Sequence, residues 1–261
     1  MTILKHELRR GRLSLIIWTA VIAFLLVISV MLFPEMKSQM TDITEAFSSM
    51  GAFSEAFGMD RLNFGELIGY YATECGNVLG LSGAFFAALL GIGMLCKEER
   101  GKTAEFLLTH PVSRARVVTE KLIALMIQVL ALNIIVFLLA VGSIALIGEK
   151  IPWKEVLLLH AAYLLMQIEI AGICFGVSAF LRRGSAGDGL GIAAVLYAMS
   201  IIANITNSVS FLNYLTPFGY CGGADIVSDL KIDGVKLAVG MGACALGKLA
   251  AYIKYTRKDI H

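Results

Sequence analysis

No part of the 261-residue chain carries Gly-x-x-x-x-Gly-Lys-Ser/Thr, so it has no phosphate-cradling loop of its own. The glycine run Gly187-Asp188-Gly189-Leu190-Gly191 opens an apolar segment with no strand before it, which rules out a dinucleotide fingerprint as well. The five cysteines (Cys75, Cys96, Cys174, Cys221, Cys244) show no Cys-x-x-Cys or Cys/His spacing, so no zinc, haem or iron–sulfur site is implied. His6, His110, His160 and His261 are far apart, and none has a nucleophile or metal partner in view, so no catalytic residue and no metal ligand is expected. Charge is scarce at 16%, against about 25% in soluble domains. The net charge of +2 gives no support to a nucleic-acid partner.

What the chain has is apolar residues, at 57% against about 45–50% for soluble domains. They are gathered into long runs, so the expected class is an all-α integral membrane protein with lipid as its surroundings. Eleven methionines are spread through these runs without paired spacing, which suits packing better than copper binding.

Six spans are expected within a single domain, 1–261, at about 13–33, 70–96, 121–147, 153–181, 189–204 and 235–253. About 20 apolar residues suffice for each crossing. The first run is longer than a signal peptide's apolar core and no small-x-small cleavage site follows it, so it reads as a retained anchor. Before it, Ile3, Leu4 and Leu8 form an apolar face under Lys5, Arg9, Arg10 and Arg12, which predicts an amphipathic helix lying in the inner interface. In the second span, Gly76-x-x-x-Gly80 has the small-residue spacing of close helix packing. Residues 205–234, with Thr216-Pro217-Phe218-Gly219-Tyr220, are too interrupted to cross and predict a re-entrant or interfacial pair of short helices before span six.

Six crossings put both termini on one side. Sixteen Lys and Arg residues fall on that side and six on the other, which together make the 22 in the chain. The bias predicts cytoplasmic termini. It places the polar interval between spans two and three, with Arg100, Lys102, Arg114 and Arg116, in the cytoplasm too. That interval predicts one short amphipathic helix, with Thr103 as N-cap and Pro111 as its stop.

The same interval, Glu98-Glu99-x-Gly101-x-Thr103-x-Glu105-x-Leu107-Leu108-x-x-Pro111-Val112-Ser113-Arg114, resembles the loop after the second span in permease subunits of bacterial type-2 ABC exporters. The specific match is concentrated in residues 98–121, with weaker likeness at 214–220 and in the basic tail. The resemblance implies a coupling helix that docks on a separate cytoplasmic ATPase. Glu98, Glu99, Gly101, Thr103, Glu105, Leu107, Leu108, Pro111 and Arg114 are its matching positions. It also implies two ATPase copies, a second permease copy (identical or paralogous), and ATP and Mg held by the partner, with no cofactor on this chain. The setting it implies is a bacterial plasma membrane. The cargo it suggests is a drug, antibiotic, antimicrobial peptide or lipid. Ion efflux, a membrane-assembly or sensory role, and an ATP-independent carrier are the competing readings.

Glu169 is the ionisable residue read as lying at mid-depth of a span, and such a charge rarely faces lipid. Asn133 lies at a similar depth in the third span, and Gln128 and Gln167 add polarity to the same two helices. The expectation is that Glu169 and Asn133 share a layer. Two readings stand: the four residues line a substrate path, or Glu169 is a hydrogen-bonded acid that fastens two helices. Cys75 and Cys221 fall on the same outer side, and their pairing is left open.

Overall fold

A computed structural model of the chain describes residues 2–37, 51, 54, 61–101, 112–181 and 184–257. In chain order the helices are α1 (Thr2–Met36), α2 (Leu67–Gly93), α3 (Lys97–Arg100), α4 (Arg114–Leu146), α5 (Trp153–Ser178), α6 (Ala186–Ile205), α7 (Leu212–Leu215), α8 (Gly223–Asp229) and α9 (Gly234–Arg257). Among the described residues there is no strand, and α1, α2, α4, α5, α6 and α9 are long and apolar enough to cross a membrane. These six correspond to the six expected spans.

Local sequence accounts for several of the starts. Ser113 caps α4 by accepting from the Arg116 N–H at 3.3 Å. Ser185 caps α6 in a reciprocal box with Asp188. The second span carries a π-helical turn over Gly76–Leu81, where the ring of Tyr163 lies against Gly76 and Gly80.

The expected interfacial helix at the N-terminus is instead the beginning of α1, which runs unbroken for 35 residues. At 1.5 Å per residue that is about 52 Å, well beyond a hydrocarbon core of about 30 Å. Lys5, Arg9, Arg10 and Arg12 are exposed, as an amphipathic helix requires. The opposite face packs on protein rather than lying on lipid. Ile3 joins a buried cluster with Val117, Val118 and Leu125, and the Leu4 N–H donates to Glu120 at 3.0 Å. That carboxylate occupies the helix N-terminus, where backbone donors are otherwise unpaired.

The helices pack mainly as parallel neighbours. Leu4 meets Glu120, Gly11 meets Gln128, and Lys37 pairs with Glu149 at 2.7 Å, so α1 and α4 run side by side in one direction. α5 is the central helix. On one side Tyr163, Gln167 and Ala171 follow the Gly76, Gly80, Gly83 and Gly91 stripe of α2. On another, Gly172 and Gly176 face Cys244 and Gly247 of α9. The small residues anticipated as a packing motif in α2 do that work, because a missing side chain lets two helices approach closely in lipid. α6 runs antiparallel to α2, with Gly189 against Ala88 and Ile92.

Residues 206–230 pack against these helices. Thr216 Oγ1 donates to the Leu196 carbonyl at 2.7 Å. Leu196 lies nine residues before the end of α6 at Ile205, or about 14 Å along its axis. The Tyr163 hydroxyl donates to the Cys221 carbonyl at 3.1 Å. Cys75 and Cys221 are both buried free thiols, so the pairing left open by the sequence is not made. Outward-facing apolar side chains line α1 and α4, among them Ile16, Phe24, Ile134 and Leu138.

A Cβ on Gly176 would sit 2.6 Å from the Gly247 carbonyl oxygen, a backbone atom that cannot step aside. Gly176→Ala is expected to lower stability by about 1–3 kcal/mol through overpacking. Gly142→Ala, with nothing within 4 Å, is expected to leave it unchanged or slightly raised. Thermal unfolding of the two variants in detergent checks this, and equal midpoints would refute the close-packing account.

Candidate functional site

Among the described residues the densest buried charge sits at the end of the bundle that carries the termini, where α2 gives way to α3. Lys121, near the start of α4, has no exposed surface. Its ammonium donates to the Met94 carbonyl at 2.6 Å, to Glu98 Oε1 at 2.5 Å and to Glu7 Oε1 at 3.1 Å. Lys97 reaches the other oxygen of Glu7. Two cations and two anions make the cluster formally neutral. It joins three places in the chain: the first turns of α1, the α2–α3 corner and the start of α4. Burial lowers the Lys97 pKa below its usual value, the nearby Lys121 charge adds to this, and Glu7 partly offsets both.

Buried charges are tolerated only when paired, because stripping water from an ion costs several kcal/mol. Lys121 therefore has a narrow set of positions open to it. Any shift of the α2–α3 corner moves Glu98 and Met94 against α4 and α1 together.

This cluster stands at the root of the polar interval. Glu98 is part of it, and its Oε2 is buried without a hydrogen-bond partner among the described residues. Gly101 closes the α3 turn with an N–H bond to the Lys97 carbonyl at 2.9 Å. Thr103, Glu105, Leu107, Leu108 and Pro111 lie outside the described residues, as does the side chain of Glu99. At the far end of the interval, Arg114 Nη1 reaches the Thr256 carbonyl at the end of α9 at 3.5 Å. The interval is thus anchored through α1 and α4 at one end and beside α9 at the other.

Glu7 and Lys121 were not singled out from the sequence as functional. One signal was present, since Glu7 is the only acidic residue before Glu35 in a strongly basic stretch. The expected third span begins at Lys121, whereas the helix starts seven residues earlier, at Arg114.

The mid-span polar residues fall into separate groups. Asn133 Nδ2 donates to Gln167 Oε1 at 2.7 Å and to the Val129 carbonyl at 2.9 Å. Gln167 Nε2 donates to the Leu79 carbonyl at 3.4 Å. This bridge ties α4, α5 and α2. The expected Glu169–Asn133 layer is not formed, because Gln167 and Glu169, two positions apart, point to different sides of α5. Glu169 instead faces α9, where a Cβ on Gly240 would lie 2.1 Å from Glu169 Oε2. The Tyr220 hydroxyl lies beside the Glu169 carboxyl. Neither carboxyl oxygen nor that hydroxyl makes a hydrogen bond of normal geometry among the described residues. Gln128 faces Gly11 of α1, apart from the rest.

A second acid lies within a span. Glu74, on α2, accepts from Ser29 of α1 at 3.0 Å, while the Tyr70 hydroxyl donates to the Ser29 carbonyl. His160 is a packing residue as its isolation in the sequence suggests: Tyr71 bonds its Nε2 at 2.7 Å and Phe137 meets it edge-on.

Lys121→Met is expected to cost about 3–5 kcal/mol, because it strands Glu7 and Glu98. Adding Glu7→Gln and Glu98→Gln should recover part of that loss in a thermodynamic cycle. A neutral single variant would overturn the view of Lys121 as the centre of the cluster. Glu169→Gln removes no hydrogen bond of normal geometry, so the variant should stay folded within about 1 kcal/mol of the parent. A transport assay on the folded variant then separates a path residue from a fastening one.

Compared with known families, residues 1–260 match the model of the ABC-2 family transporter proteins. A search of curated proteins found no match.

Proposed function

The chain belongs to the ABC-2 family of transporter proteins and is a transport permease subunit embedded in a membrane; on that premise we propose that it is the membrane half of an ATP-driven exporter in a bacterial plasma membrane. Two permease copies, identical or paralogous, pair with two cytoplasmic ATPase subunits. ATP and Mg belong to those partners, and this chain hydrolyses nothing. Both termini and the 98–114 interval face the cytoplasm, in keeping with the excess of Lys and Arg on that side. The cargo is a hydrophobic or amphipathic compound, of the drug, antibiotic, antimicrobial peptide or lipid kind.

The observation that carries the coupling step is the Glu7–Lys97–Lys121–Glu98 cluster at the root of the interval. Closure of the ATPase pair would press on Thr103, Glu105, Leu107 and Leu108. The load passes through Glu98 to Lys121 and so to α4 and α1. Because the cluster is buried and mutually paired, it moves as a unit and does not yield one bond at a time. The residues turning back over 206–230 would form the re-entrant segment near the exit of the path.

Affinity purification of the intact chain from native membranes tests this. A soluble ATPase is expected in stoichiometric amount, and Glu105→Ala with Leu108→Ala should release it while the permease stays folded. Lys121→Met should retain the ATPase but lose transport-linked stimulation of hydrolysis. Recovery of the folded chain with no ATPase would overturn the proposal. An ATP-independent carrier with Glu169 at its centre would then be the reading to pursue.

A further inference from the structure

At the end of the bundle opposite the termini, a cavity of about 270 Å³ opens between α2, α6, the returning segment and the start of α9. Its size falls just under the roughly 300–1,000 Å³ of pockets for drug-sized ligands. Two helices each turn an i,i+4 polar pair toward it: Thr73 and Asn77 on α2, Ser200 and Asn204 on α6. Polar side chains within spans are costly against lipid and face a cavity or the bundle interior. Asn213 closes a third wall. Its Nδ2 donates to Asn204 Oδ1 at 3.1 Å, and its own Oδ1 has no partner among the described residues. Tyr197 and Phe218, edge to face at 5.2 Å, supply an apolar side.

The charges at the rim are matched within the protein. Arg61 pairs with Asp225 at 2.8 Å. Lys236 donates to the Gly219 carbonyl at 3.1 Å and lies 3.6 Å from Asp233. An incoming anion would meet Asp225 beside Arg61, and an incoming cation would meet Arg61 and Lys236. A wholly apolar ligand would strip water from three amides and the Ser200 hydroxyl without replacing its hydrogen bonds. What suits the lining is an uncharged group with several donors and acceptors and one apolar face.

We propose that this cavity is a binding site for a neutral, multiply hydrogen-bonding group, of the size of one N-acetylated sugar ring or one capped amino acid. Asn77, Asn204 and Ser200 provide the polar contacts and Tyr197 the apolar wall. The site lies within one chain and does not depend on the ATPase reading.

All five native cysteines are buried, so Ile201→Cys, at a lining position that makes none of the proposed polar contacts, adds a thiol inside the cavity. The full chain in lipid nanodiscs is treated with a maleimide in the presence of N-acetylglucosamine or N-acetylglycinamide. Glucuronate and choline serve as charged controls. At least one neutral probe is expected to slow labelling about threefold at twice its Kd, following 1 + [L]/Kd. Ser200→Ala in the same background should weaken that protection. Protection by the sugar alone or by the amide alone tells the two sources apart. Gly142→Cys, in open space on α4, should show no protection. Should Ile201→Cys fail to fold, Thr73→Cys on the facing wall repeats the measurement, since the Thr73 hydroxyl is already spent on the Gly69 carbonyl. Absence of protection by either neutral probe would overturn the proposal, as would equal protection by a charged control. Neither result bears on ATPase capture.

Discussion

The close approach of α5 to its two parallel neighbours is the constraint on which the rest of the bundle depends. Gly172 and Gly176 bring α9 to backbone contact, and the glycine stripe of α2 accepts Tyr163 and Gln167. In lipid there is little hydrophobic gain from joining two apolar helices, so dispersion and interhelical hydrogen bonds must hold them. Both need short distances. Once α5 is sandwiched in this way, its side chains are sorted by azimuth. Gln167 reaches Asn133 and the Leu79 carbonyl, Glu169 reaches the α9 side, and Tyr163 bonds the returning segment.

The charge cluster at the end carrying the termini works by a different balance. Desolvating Lys121, Glu7 and Glu98 costs several kcal/mol per ion, and the mutual attraction roughly repays that only when every partner is in place. Such a cluster adds little net stability beyond what apolar residues of the same volume would supply. What it adds is a penalty on partial disruption. That property holds the three segments it joins in one arrangement. The position of Glu98 in the cluster gives a physical account of why an acidic residue belongs at the start of the polar interval.

The two polar regions also differ in what they leave unmet. The Asn133–Gln167 bridge uses both amide donors named above and leaves Asn133 Oδ1 without a partner among the described residues. Glu169 and Tyr220 bring three buried oxygens together without a normal hydrogen bond among the described residues. The outer cavity, lined by Asn77, Asn204 and Asn213, is open to occupants that the inner fastenings exclude.

The amino-acid sequence by itself determined the class, the six crossings, their order and the polar interval between the second and third. These follow from local quantities: hydropathy over about 20 residues, caps such as Ser113, and the count of positive charge on each side. Only the tertiary structure decided which spans are neighbours. Parallel neighbours such as α1 and α4, or α2, α5 and α9, are never consecutive in the chain, so no short loop announces them. It also decided that residues 2–12 continue α1, that Asn133 pairs with Gln167 and not Glu169, and that Lys121 is buried. Each of these depends on the rotation of a helix about its axis. In a helix apolar on most faces, the periodicity that would reveal such a rotation is absent. Partners more than 100 positions apart, such as Glu7 and Lys121, meet only because the packed bundle brings them together.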